Sequence, residues 1–242
     1  MDRLLIALDV PTSAQALTLA DALRGVVGGF KIGSQLFTEA GPDFVRRLTA
    51  QGDRVFLDLK FHDIPNTVAA AVAAATDLGV WMVNVHASGG AAMLTAAREA
   101  AAAAASTARR PRPLVVAVTV LTSLDTDGLT SIGVPGAPID QVRRLAKLTQ
   151  SCGLDGVVAS PQETTAIRQV CGPDFVIVTP GIRGGAAASG PDDQRRTLTA
   201  ADAVEGGSSY LVIGRPITGA PNPREAAVRI AAEISARAAT ST

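Results

Sequence analysis

The stretch VFLDLKFHDIPNTVAAAVAAATDL, Val55 to Leu78, decides the fold. A β-branched and apolar run carries Asp58 and Lys60 near its end, and Pro65 then opens an Ala-rich segment of helix-forming composition, with proline at the helical first turn it tolerates best. Read outward, the same strand-then-helix unit recurs along the whole chain. Strands are expected at Leu4 to Leu8, Gly29 to Gly33, Val55 to Lys60, Met82 to His86, Leu114 to Val120, Gly156 to Ala159, Phe175 to Thr179 and Tyr210 to Gly214. Helices are expected at Ser13 to Val26, Pro42 to Gln51, Pro65 to Leu78, Ile139 to Cys152, Pro161 to Val170 and Pro223 to Ala238, and the run Ala100 to Ala105 reads as part of an ordinary outer helix. Eight such units in 242 residues predict an α/β fold, a parallel eight-stranded (β/α)8 TIM barrel, with residues 1–242 as one barrel domain and no interdomain linker. A doubly wound sheet would place a Gly-rich turn after the first strand, and here that turn reads Asp9, Val10, Pro11, Thr12.

Composition narrows the partners. Hydrophobic residues make up 47% and charged residues 18% of the chain, which excludes the polar, highly charged signature of a disordered protein. Lys and Arg number 22 against 22 Asp and Glu, so no global field draws the chain to nucleic acid or anionic membrane, and an anionic ligand must be held locally. Cys152 and Cys171 have no CxxC spacing and no nearby histidine cluster, so neither a zinc site nor a disulfide framework is expected, and a reducing compartment fits. The apolar run Leu4 to Leu8, bracketed by Asp2 and Asp9, lacks the basic flank and length of a signal peptide, and no stretch approaches a membrane span. These features predict a cytoplasmic protein with a small-molecule partner.

Strands of a parallel barrel are buried on both faces and read as nearly unbroken apolar runs, so a charge near a strand end requires a reason. Four stand early in the chain: Asp9 after strand one, Lys31 in strand two, and Asp58 and Lys60 in strand three. Residues two apart on a strand share a face, which directs Asp58 and Lys60 together toward the barrel mouth. One explanation is a buried structural ion network. The other is chemistry, because active sites of this fold form at the C-terminal ends of the strands, and packing four charges there costs several kcal/mol per ion. Asp63 has two readings: a helix N-cap ahead of Pro65, or a residue that reaches into a neighbouring subunit's site.

Thr179 to Arg183 after strand seven and Ile213 to Arg215 after strand eight outline the phosphate site that barrels build from their last two βα loops. Glycines there admit an anion to backbone N–H groups and Arg215 adds a bidentate donor. The Gly- and Ala-rich stretch Gly184 to Asp193 reads either as a lid or as an ordinary surface loop. His62 and His86 stand apart from any Ser or Cys nucleophile signature and from HExxH, so neither a triad nor a metal centre is expected, and lysine remains as the proton carrier.

The run Asp58, Leu59, Lys60, Phe61, His62, Asp63, Ile64, Pro65, Asn66, Thr67 resembles the DxKxxDI(P) signature of the orotidine 5'-phosphate decarboxylase family. The likeness extends through Ala7 to Asp9, Phe30 to Gly33, Val120 to Ser123, Thr179 to Arg183 and Tyr210 to Ile217. It implies a dimeric barrel that converts orotidine 5'-monophosphate to uridine 5'-monophosphate without metal or cofactor. On that likeness Lys60 is the proton donor, Asp58 lies beside the substrate carboxylate, and Lys31 and Asp63 complete an alternating Lys-Asp-Lys-Asp array. Asp63, Ile64 and Thr67 would come from the other subunit. Asp9 and Lys31 would hold the ribose, Thr122 the pyrimidine, and Pro180, Arg183, Gln194, Gly214 and Arg215 the phosphate end. Residues 184–190 depart from the family pattern in their Gly and Ala content. Two other readings are a Mg²⁺-dependent sugar-phosphate decarboxylase of the same superfamily, such as keto-gulonate-phosphate decarboxylase, and a noncatalytic barrel that binds a phosphate ligand.

Overall fold

Buried parallel strands and amphipathic covering helices close here into a barrel. The structure, a computed structural model, describes residues 2–183 and 198–240. The strands are β1 (Leu4–Ala7), β2 (Gly29–Gly33), β3 (Val55–Phe61), β4 (Met82–His86), β5 (Leu114–Val118), β6 (Gly156–Val158), β7 (Val176–Thr179), β8 (Ile182–Arg183), β9 (Leu198–Thr199) and β10 (Tyr210–Ile213). Eight of them form the closed parallel order β1-β10-β7-β6-β5-β4-β3-β2, while β8 and β9 pair with each other outside it. The helices are α1 (Ser13–Leu23), α2 (Ser34–Ala50), α3 (Pro65–Asp77), α4 (Gly90–Thr107), α5 (Thr126–Ser131), α6 (Pro138–Ser151), α7 (Thr164–Cys171), α8 (Ala200–Glu205), α9 (Arg215–Thr218) and α10 (Pro223–Thr240). Among the described residues no helix is long and apolar enough to cross a membrane.

The alternation of side chains along each strand divides the apolar residues into two clusters. Leu5, Ala7, Phe56, Met82, Val116, Val118, Val158, Val178 and Val212 fill the barrel interior. Leu4, Ile6, Leu8, Leu57, Val83, Val115 and Ile177 face outward and pack against helices, including Leu48 of α2, Val72 of α3 and Ile230 of α10. Below the inner cluster, at the N-terminal strand ends, Trp81 closes the barrel. The Arg54 guanidinium lies 3.7 Å from the centre of its ring, and Tyr210 meets it edge-on at 5.0 Å. Cation–π and edge-to-face contacts let a charged and two amphipathic groups seal a partly solvated end.

The strands match expectation to within one or two residues, β5 ending at Val118 rather than Val120 and β10 at Ile213. The helix expected from Pro42 is the second half of α2. Its first half starts at Ser34, and Gly41, at φ 68°, bends the chain so that Pro42 starts the second half. The β8–β9 pair and the short α5, α8 and α9 carry too little periodicity for a sequence pattern to disclose them.

Candidate active site

Strands β1, β2 and β3 deliver the four charges to one place at the C-terminal rim. Lys31 Nζ lies 2.9 Å from Asp9 Oδ1 and 3.4 Å from Asp58 Oδ2. Lys60 Nζ lies 2.7 Å from Asp58 Oδ1. The result is an unbroken chain of alternating sign, Asp9, Lys31, Asp58, Lys60, graded in exposure. The side chains of Lys31 and Asp58 are 9% and 12% accessible, those of Lys60 and Asp9 36% and 56%. The buried inner pair is charge-compensated, and the outer ends face the space above the barrel, where a ligand would meet one ammonium and one carboxylate.

Asp58 and Lys60 do meet, as their spacing predicts, but not through a regular strand. Leu57 pairs with Val83 and Phe61 with Val85, so three residues of β3, Asp58 to Lys60, stand opposite one residue of β4, Asn84. The excess is taken up in a bulge where Lys60 adopts φ 53°. Asn84 is fully buried. Its Nδ2 donates to Asp58 Oδ1 at 2.7 Å, and its Oδ1 accepts the Lys60 backbone N–H at 2.8 Å. Sequence reasoning passed over Asn84. The signal was present: a polar residue in the run Met82 to His86 is as anomalous in a buried strand as a charge.

His86 follows Asn84 by two residues on β4, its ring 5.3 Å from that of His62. Burial pushes the His86 imidazole below its ordinary value, and the positive fields of His62 and Lys60 add to the effect, opposed by Asp58.

Asp63 is not brought to this array within the chain: among the described residues it forms no ion pair, and its Oδ1 accepts the N–H of adjacent Ile64 at 2.6 Å. Nor does it cap α3. The N-cap position falls on Ile64, and no side chain bonds there. The N-cap reading is thereby corrected: the helix starts one residue later than that reading requires, and the Asp63 carboxylate is turned to the N–H of Ile64 rather than to a free N–H of the first turn. Asp63, Ile64 and Thr67 are all exposed, Ile64 at 67%. The remaining residues occupy loops on the rim. Thr122 is half-buried in the β5–α5 connection, Pro180 follows β7, Gly214 follows β10, and Arg215 opens α9. Arg183 ends β8. Gln194 and the stretch Gly184 to Asp193 lie outside the described residues. Among the described residues no three His, Cys, Asp or Glu side chains gather where they would hold a metal ion.

Comparison with known proteins finds similarity over nearly the whole chain. The model of the Orotidine 5'-phosphate decarboxylase / HUMPS family matches residues 2–230. The orotidine 5'-phosphate decarboxylase of Moorella thermoacetica is 55% identical over 234 residues, covering 96% of this chain and 92% of that protein. That of Nitrosococcus oceani is 54% identical, covering 96% and 97%. The crystal structure of orotidine 5'-phosphate decarboxylase from Lactobacillus acidophilus superposes with a TM-score of 0.84 at 38% identity, covering 96% of this chain and 98% of that one. With these identities and a family match over nearly its whole length, the chain belongs to the orotidine 5'-phosphate decarboxylase / HUMPS family.

Proposed function

We propose that the protein is a cytoplasmic enzyme that decarboxylates orotidine 5'-monophosphate to uridine 5'-monophosphate, the last step of de novo pyrimidine nucleotide synthesis, with no metal or cofactor. The observation that carries this reading is the alternating chain Asp9, Lys31, Asp58, Lys60 at the barrel rim, in a protein that shares over half its residues with named decarboxylases.

The chemistry explains why such an array is needed. Breaking the bond from carbon 6 to the carboxylate leaves an electron pair in an sp² orbital lying in the ring plane, where the π system cannot accept it. Stabilisation must then come from a fixed positive charge aimed at that carbon, and the Lys60 ammonium, oriented by Asp58 at 2.7 Å, supplies one without reorganisation. As carbon dioxide leaves, the Lys60 Nζ–H bond breaks and the carbon 6–H bond forms; solvent then returns a proton to the neutral amine. Asp58 beside the departing carboxylate adds a repulsion that is relieved on loss of carbon dioxide, a secondary contribution. Lys31 and Asp9, paired at 2.9 Å, offer a donor and an acceptor to ribose hydroxyls. Thr122 would contact the pyrimidine. Pro180, Arg183, Gln194, Gly214 and Arg215 would hold the phosphate, whose binding energy helps order the array far from where it is gripped.

The active unit is a homodimer in which Asp63, Ile64 and Thr67 of each subunit complete the other's site. Their exposure at the N-terminus of α3 and the two readings of Asp63, one of them now removed, support this. The deciding experiment follows the ultraviolet absorbance of orotidylate with purified protein in excess EDTA. Turnover that persists in chelator is expected. Loss of turnover restored by Mg²⁺ would point instead to the metal-dependent sugar-phosphate decarboxylases, and binding of uridylate without turnover to a noncatalytic binder.

A further inference from the structure

The bulge in β3 sets a mechanical problem. Three residues cross opposite one, and the slack is taken up at Lys60, in a left-handed conformation that is strained for a residue bearing a Cβ. That conformation also aims the side chain, so whatever holds the Lys60 backbone holds the ammonium. Asn84 is the residue directly opposite. Its amide is used at both ends, the oxygen accepting the Lys60 N–H and the nitrogen donating to Asp58 Oδ1, the same carboxylate oxygen that receives Lys60 Nζ. The amide cannot be reversed, because a backbone N–H only donates and a carboxylate only accepts. Asn84, Asp58 and Lys60 thus form a closed loop of three hydrogen bonds at 2.7–2.8 Å, anchored on the fully buried Asn84 amide, where an unmade bond is costly.

We infer that Asn84 is a positioning residue for the decarboxylation proposed above, acting through Asp58 and the Lys60 backbone to hold the ammonium on the reacting carbon. No single replacement reproduces it. Leucine keeps the volume and loses both bonds. Aspartate keeps the acceptor and regains the donor only when the introduced carboxyl and Asp58 share a proton. The charged groups facing that carboxyl pair are Lys31 on β2, Asp9 beyond β1, Lys60 on β3 and His86 on β4, with His62 behind. β5 presents Val116 opposite Asn84.

The test compares wild type, Asn84→Leu and Asn84→Asp in orotidylate turnover between about pH 5 and pH 9, with uridylate affinity and thermal melting alongside. In Asn84→Leu kcat falls by about a hundredfold or more at every pH, as expected for misplacement of a reacting group by about 1 Å, while uridylate affinity stays within about threefold. In Asn84→Asp activity relative to wild type is greatest at the acid end and drops about tenfold per pH unit once the shared proton is lost. A purely structural role would produce no such proton dependence. The inference fails if that ratio is flat with pH, if kcat of Asn84→Leu is within about threefold of wild type, or if neither variant folds, since the residue would then serve the barrel alone. If only Asn84→Leu fails to fold, the pH dependence of Asn84→Asp decides. A wild-type protein that does not turn over orotidylate overturns the proposed function instead.

Discussion

His86 shows how one residue can register its surroundings in stability. Its folded imidazole is shifted below the ordinary value of 6.5 by burial first and then by His62 and Lys60. Just below that value the unfolded chain therefore binds more protons than the folded one, and stability is lost as pH falls from about 6.5 toward the depressed folded value. Wild type should lose melting temperature between about pH 7.5 and pH 5.5, and His86→Asn should lose less over the same range; parallel slopes would remove His86 as the source. Residues of this kind were unevenly visible beforehand. Asp9, Lys31, Asp58 and Lys60 stood out because a charge at the end of a buried strand has a physical cost that invites a reason. Asn84 has a similar cost without a formal charge and escaped a search confined to charges. Asp63 forms no ion pair among the described residues, and its proposed place in a partner's site was suggested only by the DxKxxDI(P) likeness, not by strand or helix periodicity.

Among elements, the short β6 has the least freedom. A Cβ placed on Gly156 would lie 2.0 Å from the carbonyl oxygen and 2.5 Å from the Cβ of Val176 on β7, and neither backbone can yield without opening the sheet. Gly156→Ala should lower the free energy of unfolding by about 2–3 kcal/mol or more, read as a lower urea midpoint with unchanged m-value. An unchanged midpoint would mean that β6 and β7 can separate at little cost. The alternation of strand and helix was legible at this scale because a strand covered on both faces leaves a dense apolar run, and Pro65 and Pro42 mark the first turn of helical segments. What was not legible was local irregularity: the kink at Gly41, the step between β3 and β4, and the outlying β8–β9 pair. A period of two assumes an unbroken ladder, and the site depends on a break in one.

For the molecule as a whole, the proposed sharing of sites between two subunits makes a quantitative demand. On that proposal Lys60→Ala removes the proton donor of a subunit's own site and Asp63→Ala the residue lent to its partner, so each variant alone should be nearly inactive. Co-expressed, random pairing gives half heterodimers, each with one intact site, and the mixture should recover about one quarter of wild-type activity. A mixture no more active than its separate components would show that Asp63 serves only its own chain. The barrel also separates its two ends. The chain's only tryptophan, Trp81, sits among Arg54 and Tyr210 at the floor, with the inner apolar cluster between it and the charged rim. The indole is thus an optical reporter insulated from the chemistry: its emission tracks the opening of the floor during denaturation and stays silent when a nucleotide occupies the opposite mouth.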